Sequence, residues 1–301
     1  MSIELRQLRH FVAVAEEMHF GRAAARLHMT QPPLSQSIRA LETALGTPLF
    51  IRSSRSVSLT PAGALLLPES RRLLREAEAL PELAQRAAAG ESGRLTVAFV
   101  SIADYSVLPE FLRRFRQRYP QVQIELREAT SDIQAEDLAA GRIDLGLLIP
   151  PLPDRLGVEL NYQPVLAEPL VLAAPDGLRG MPARGPVPLA AVASEPLVLF
   201  PRRIAPAFHD AILSCLRQAG ATPNIGQEAI QMQTIIALVS AGMGIALVPQ
   251  SVSNLQRPGV CYRQIQGQVP FIETGFAWRR DNPSPVLKAF LSLLPTHKRK
   301  R

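Results

Sequence analysis

The sequence predicts an α/β protein with three parts, namely an N-terminal winged helix-turn-helix, a linker helix and a two-lobed domain of mixed sheet. Two short helical patterns joined by a tight turn occupy residues 20–50. A stretch rich in Ala, Leu, Arg and Glu follows over residues 61–90, and this composition is typical of a long exposed helix. From residue 94 onward, strand-like and helix-like patterns alternate, which indicates an α/β domain.

The N-terminal part begins with a helix over residues 4–18, which places Leu5, Leu8, Phe11, Val12 and Ala15 on one buried face. In the pair that follows, small alanines on the first helix let the second helix cross it closely. Thr30 can cap the second helix, and Pro32 and Pro33 fit its first turn, where missing N–H groups cost nothing. Gly46 ends that helix.

In a helix-turn-helix the second helix enters the DNA major groove with its N-terminal residues at the base edges. The candidate groove residues are Thr30, Gln31, Pro32, Pro33, Ser35, Gln36 and Arg39. Because many small domains contain paired amphipathic helices, the pair alone leaves a purely structural role open. Residues 49–60 favour DNA binding, since they resemble two short strands around a turn, with Arg52 and Arg55 at its tip. Such a wing suits phosphates and the minor groove.

The linker stretch offers Leu66, Leu73, Leu80 and Leu83 as a seam that could face a second subunit. Two prolines, Pro68 and Pro81, interrupt this pattern. Proline inside a helix removes a hydrogen bond and kinks the helix. The linker is therefore either bent at these residues or broken into segments.

Several function classes find little support in the composition. The net charge of +7 is weak support for DNA binding, because Lys298–Arg301 supply four of the seven charges. No export signal or membrane-length apolar run is visible, and Cys215 and Cys261 suit a reducing cytoplasm. The histidines lack metal-ligand spacing, and no G-x-S-x-G motif occurs. We therefore expect neither an enzyme nor a bound metal or cofactor.

A candidate ligand site follows from the predicted strands, because ligands bind at the carboxyl ends of strands in α/β sheets. The residues at such positions are Ser101, Thr130, Ser131, Pro201, Arg202, Arg203, Met232 and Gln233. Each hydroxyl could instead be a simple helix cap, and each arginine could be solvated. Together, hydroxyls, helix N-termini and arginines favour a small anionic effector, in particular a carboxylate.

The stretch LRQLRHFVAVAEEMHFGRAAARLHMTQPPLSQSIRALETALGTPLFIRSSRSVSLTPAG, residues 5–63, resembles the DNA-binding domain of LysR-type bacterial transcriptional regulators. The short motifs QPPLS, FVS and LFP resemble the subgroup that senses aromatic-catabolite acids. By this resemblance, the positions that line the effector cleft in that subgroup correspond to Ser101, Ser131, Pro201 and Gln233 of this chain. Relatives often carry Arg where this chain has Gln36, and since Arg prefers guanine and Gln adenine, base preference there is open.

The resemblance implies a two-lobed effector domain similar to the type 2 periplasmic-binding proteins. We expect a DNA-binding domain over residues 1–60, a linker and dimerisation helix over 61–93, and a regulatory domain over 94–301. Lobe I would take residues 94–164 and 270–301, and lobe II residues 165–269. The implied partners are double-stranded operator DNA, a small organic acid and further copies of the chain as a dimer or tetramer, with RNA polymerase left open and no membrane. A receptor without a gene-regulatory role is the alternative.

Overall fold

The structure is a computed structural model that describes residues 3–53, 56–153, 157–182 and 184–295. It divides into two compact units, Met1–Gln85 and Arg86–Arg301. The first unit contains α1 (Leu5–Glu17), α2 (Phe20–Arg26), α3 (Gln31–Leu45), β1 (Phe50–Arg52), β2 (Val57–Leu59) and most of α4 (Pro61–Ala88). Arg55, predicted at the wing tip, and the basic residues Lys298–Arg301 lie outside the described residues.

The three N-terminal helices enclose an apolar core in which Phe11 contacts Phe50 with ring centroids 5.5 Å apart. Leu34, Ile38 and Leu41 of α3 are fully buried there, as their helical spacing predicts. Two predictions for this part were wrong. Leu5 is 48% exposed rather than buried. The Thr30 side chain makes no capping hydrogen bond, although Thr30 occupies the N-cap position of α3.

The linker is a single α-helix of 28 residues, α4, with Pro68 and Pro81 inside it. The alternative of separate helical segments is therefore excluded. Gly63 in its first turn is buried and packs so closely against the wing that a Cβ there would lie 2.3 Å from the Leu49 carbonyl oxygen. Three of the four predicted seam leucines are exposed, namely Leu73, Leu80 and Leu83, and Leu65 is exposed as well. Leu66 is instead half-buried against the N-terminal core.

The second unit alternates strands and helices, as predicted. Its strands are β3 (Ser92–Phe99), β4 (Gln121–Glu128), β5 (Leu145–Leu148), β6 (Leu160–Pro175), β7 (Leu197–Leu199), β8 (Ile225–Glu228), β9 (Ala246–Pro249), β10 (Val260–Gln264) and β11 (Phe271–Arg279). Its α-helices are α5 (Leu108–Arg118), α6 (Ser131–Ala139), α7 (Pro206–Gln218), α8 (Met232–Ser240) and α9 (Pro285–Leu291). Short 3-10 helices occupy Ser101–Tyr105, Leu189–Val192 and Gln250–Leu255.

The main sheet has the strand order β10-β6-β11-β5-β3-β4, with β9 also paired to β6. The β3/β4, β3/β5 and β7/β8 pairs are parallel, whereas every pair that contains β6 or β11 is antiparallel. We call the half with β3, β4, β5 and β11 lobe I, and the half with β7 to β10 lobe II. The long strand β6 pairs with β11 and then with β10 and β9, so it belongs to both lobes.

The two glycines of SAGMGIALVP, Gly242 and Gly244, follow the end of a helix and do not form a nucleotide-binding loop. Gly242 follows α8 with a φ of 78°. Gly244 has a φ of 138°, and a Cβ there would lie 2.0 Å from the Pro196 carbonyl oxygen. Only glycine permits that backbone conformation and that close approach together.

Candidate functional site

The exposed face of α3 carries nearly all of the predicted groove residues. Its exposed members are Thr30, Gln31, Pro32, Pro33, Gln36 and Arg39, and Ser35 is half-buried. The opposite face of α3 holds Leu34, Ile38 and Leu41 in the core. Among the described residues, the Arg39 guanidinium has no ion-pair partner, which leaves it free for a phosphate or a base.

The wing strand β1 is fastened to α3 by a carboxylate. Glu42 Oε1 accepts hydrogen bonds from the backbone N–H groups of Leu49 at 2.9 Å and Phe50 at 3.2 Å. Its other oxygen accepts from Arg52 Nη2 at 2.7 Å. The Arg52 guanidinium also lies over the Phe20 ring, 5.0 Å from the centroid. Arg52, predicted as a DNA contact, is thus held by Glu42, and its remaining N–H groups are available to DNA.

Two further contacts in this unit were not predicted. The His19 Nδ1 atom caps α2 by accepting from the N–H groups of Gly21 and Arg22. His10 of α1 contacts the Ser37 hydroxyl of α3 at 2.8 Å. Burial lowers the pKa of His10, and the nearby Arg6 and Arg9 lower it further. His10 therefore fastens α1 to α3, and its lowered pKa favours the neutral ring. No sequence motif distinguishes such a histidine from a solvated one.

A cleft opens in the second unit where the carboxyl ends of the parallel strands meet, and it encloses about 500 Å³ with the solvent at its mouth included. Lobe I contributes residues at or just after the ends of β3, β4 and β5, namely Val100, Ser101, Ile102, Glu128, Ala129, Thr130, Ser131 and Ile149. Lobe II contributes residues near β7, α7, β8 and α8, namely Phe200, Ile204, Ala205, Phe208, Ile230, Gln231 and Met232.

Two serine hydroxyls in this cleft accept hydrogen bonds from backbone N–H groups. Ser101 Oγ accepts from the Met232 N–H at 3.4 Å, which joins lobe I to the first residue of α8. Ser131 Oγ accepts from the Ile149 N–H at 3.1 Å. Because a hydroxyl has one O–H donor besides its acceptor lone pairs, both donors remain available to a ligand. The side chains of Thr130 and Gln231, at the N-caps of α6 and α8, make no capping hydrogen bond.

The predicted ligand residues are only partly brought together. Ser101, Thr130, Ser131 and Met232 line the cleft. Pro201, Arg202, Arg203 and Gln233 are not among its lining residues. Both arginines are exposed, and Arg202 forms a two-pronged ion pair with Asp210 at 2.7 and 2.8 Å. That pair holds the pKa of the Asp210 carboxyl far below its usual range.

The charge in the cleft comes from a residue that sequence reasoning missed. Among the described lining residues, Glu128 at the end of β4 is the only one with a charged side chain. Partial burial raises the pKa of Glu128, and the nearby Asp104 carboxylate raises it further. Glu128 lies two residues before Thr130, at the end of a strand that leads to the predicted ligand residues, and that position was the available signal.

Neither a metal-ligand cluster nor a membrane-spanning helix occurs among the described residues. No group of three or more His, Cys, Asp or Glu side chains is arranged to hold a metal ion in that part of the chain. None of the described helices is long and apolar enough to cross a membrane.

Comparison with known proteins identifies two matching families. Residues 5–64 match the bacterial regulatory helix-turn-helix protein, lysR family, and residues 88–299 match the LysR substrate binding domain. The HTH-type transcriptional regulator IlvR of Caulobacter vibrioides is 50% identical over 97% of both chains. AlsR of Bacillus subtilis is 40% identical over 97% of this chain and 95% of its own.

Solved structures show the same arrangement of elements. Full-length CbnR complexed with its target DNA superposes with a TM-score of 0.79 at 32% identity, over 96% of this chain and 98% of that one. Full-length BenM gives a TM-score of 0.57 at 30% identity, over 96% of this chain and 95% of its own. These neighbours contain both the helix-turn-helix part and the two-lobed part of the predicted fold class, which is thereby confirmed.

Proposed function

The chain belongs to the lysR family of bacterial regulatory helix-turn-helix proteins, and we propose that it reads operator DNA with α3 and the wing under the control of a small organic acid. It is a DNA-binding transcriptional regulator with an effector-binding domain. The prediction that it is not an enzyme is confirmed, because its relatives are transcriptional regulators. Membership of the aromatic-catabolite subgroup stays a prediction.

Sequence-specific DNA recognition is supported by the exposed polar face of α3. Gln31, Gln36 and Arg39 have donors and acceptors that pair with base edges in the major groove. Pro32 and Pro33 lack N–H groups, so most of the specific contacts in the first turn fall to the side chains. The wing supplies phosphate or minor-groove contacts through Arg52 and, from the sequence, Arg55.

The observation that carries the effector proposal is the free O–H donor on each of Ser101 and Ser131. A carboxylate accepts hydrogen bonds from hydroxyls and from the uncapped N–H groups at the start of α6. Since Arg202 is paired with Asp210, neutral donors and helix N-termini hold the carboxylate in this proposal. The apolar side chains of Phe200, Phe208 and Met232 contact the remainder of the effector.

The proposed mechanism is a shift in population between two arrangements of the lobes. The cleft has walls from both lobes, and the Ser101–Met232 hydrogen bond joins them across it. An effector that binds there changes the angle between the lobes, and hence subunit packing and the bending of bound DNA. We further propose that the protein acts in the cytoplasm as a dimer or tetramer paired through α4, and that RNA polymerase is contacted at the promoter.

The test uses full-length protein and DNA selected by it from a random library. Thermal stabilisation identifies which members of a panel of small organic acids bind, because a ligand that binds the folded state raises stability by mass action. Footprinting with and without each binding acid then measures the effect on DNA. We expect a changed footprint, and about tenfold weaker acid binding in Ser101→Ala and in Ser131→Ala.

The control is Ser253→Ala, whose hydroxyl donates to the Gln250 carbonyl oxygen outside the cleft. Acid binding should be unchanged in this variant. An unchanged footprint and unchanged promoter activity for every acid that binds would overturn the proposed regulation. Acid binding that survives both cleft substitutions would overturn the proposed site.

A further inference from the structure

The charge of the cleft is unusual for a site that binds a simple acid. Glu128 is the only residue with a charged side chain among the lining residues that the structure describes. It is also exposed, which places it at the opening of the cleft. A carboxylate ligand beside Ser131 would share this end of the cleft with Glu128, because three residues of chain span at most about 11 Å. A bare organic acid would therefore be repelled by Glu128.

A second carboxylate makes this end of the cleft more acidic. Asp104 lies in the 3-10 helix Ser101–Tyr105 that follows β3, and its charge acts on Glu128. In the described part of the chain, neither carboxylate has a hydrogen-bond or ion-pair partner. By contrast, Glu125 on the same strand is paired with Arg127 at 2.6 Å. Of the two carboxylates on β4, Glu125 therefore has a protein cation beside it and Glu128 has none among the described residues.

A ligand can supply that cation. A protonated amine between Asp104 and Glu128 would turn the repulsion into attraction and satisfy both carboxylates. A metal ion fits less well, since the described residues contain no group of three ligands arranged to hold one. The rest of the wall is apolar, with Ile204, Phe208 and Met232 facing the same space.

We propose that the effector is an α-amino acid with an apolar side chain, whose ammonium group binds Glu128 while its carboxylate binds the Ser101 and Ser131 hydroxyls. This inference rests on the proposed effector site and adds the amine to it. Asp104 assists through its charge. The apolar wall selects the side chain.

The experiment compares each amino acid with the acid that lacks only the amine. Isothermal titration calorimetry of the full-length protein uses L-valine with 3-methylbutanoate, L-leucine with 4-methylpentanoate, and L-phenylalanine with 3-phenylpropanoate. At least one amino acid should bind about tenfold or more tightly than its partner acid, because one charge-assisted hydrogen bond typically contributes this much to affinity. Glu128→Gln should remove the higher affinity for the amino acid. The affinity for the partner acid should stay the same or increase.

The matched control is Glu125→Gln on the same strand, outside the cleft, which should preserve the advantage of the amine. If the partner acids bind as tightly as the amino acids, or if Glu128→Gln weakens both classes equally, the amine inference is wrong and the acid site stands. If neither class binds, the proposed effector site fails as well. Isoamylamine, which lacks the carboxylate, should bind more weakly than L-leucine, and equal binding would also overturn the inference.

Discussion

Glu42 on the recognition helix holds Arg52 on the wing, with Glu42 Oε2 and Arg52 Nη2 separated by 2.7 Å. The same carboxylate accepts the N–H groups of Leu49 and Phe50 at the start of the wing strand. One side chain on α3 thus sets the position of β1 relative to the helix that faces the groove. The Glu42 side chain is only 15% exposed, so water replaces these bonds poorly.

Replacement of Glu42 should therefore destabilise the first unit and weaken DNA binding. Glu42→Ala leaves two backbone N–H groups without an acceptor and Arg52 without its partner. We expect the free energy of unfolding to fall by about 2 kcal/mol, measured by urea denaturation of the full chain. The control Glu69→Ala removes an exposed pair with Arg72 and should cost at most about 0.5 kcal/mol. Equal effects of the two substitutions would contradict the proposed role of Glu42.

Base recognition and phosphate contact should separate at Gln36 and Arg55. Gln36→Ala should alter preference at one base pair by about 1–3 kcal/mol, because a side chain that contacts a base edge discriminates among bases. Arg55→Ala should weaken binding to all DNA sequences similarly, and it should reduce the slope of log affinity against log salt concentration by about 1. Competition binding on systematically varied operators measures both. If both variants lose affinity uniformly, the assignment of α3 to the groove is incorrect.

The exposed leucines of α4 should control oligomerisation. Leu80 is 60% exposed and Leu83 is 55% exposed, and we expect both to be buried against a second subunit. The double variant Leu80→Ala/Leu83→Ala keeps helix propensity but removes apolar area, so the dimer should weaken by roughly a hundredfold or more. Sedimentation equilibrium of the full chain checks this. Glu78→Ala on the same helix should leave the mass unchanged, and an unchanged mass in the double variant would argue against the seam.

Glu128 should make the unliganded protein less stable at neutral pH. Its pKa in the folded protein is raised above the ordinary 4.5 by partial burial and then by Asp104. The protonated Glu128 carboxyl therefore contributes favourably to the free energy of unfolding below pH 4.5, and this contribution is lost as the pH rises through the raised pKa. Glu128→Gln should therefore raise the Tm of the unliganded protein by about 1 °C at pH 7, and it should leave the Tm unchanged near pH 4. The expected change is small because solvent screens this exposed group. Differential scanning calorimetry at both pH values measures the difference, and a lower Tm at pH 7 would refute it.

Periodic patterns predicted the fold well because they are local. Leu34, Ile38 and Leu41 recur at helical spacing, and α3 contains all three and stops at Gly46. The sequence does not mark where strand β6 begins, because the first half of this strand is only half-buried and lacks a clear apolar pattern. Strand β10 was not predicted, since its residues are also mostly half-buried.

Contacts between distant residues could not be read from those patterns. The Ser101–Met232 hydrogen bond joins residues that are 131 positions apart. Arg202 lies next to a predicted strand end, yet its partner Asp210 lies on α7 and holds it in an exposed pair. Glu128 was overlooked because it ends a strand on which charged and apolar residues alternate, where an exposed carboxylate is ordinary.

The long strand β6 restricts how such sensors can be recombined. It runs from Leu160 to Pro175, and it pairs first with β11 in lobe I and then with β9 and β10 in lobe II. Because side chains alternate along a strand, an insertion or deletion of one residue would turn the faces of one lobe over relative to the other. A chimera that takes lobe II from one relative and lobe I from another must therefore keep the residue count of β6 unchanged.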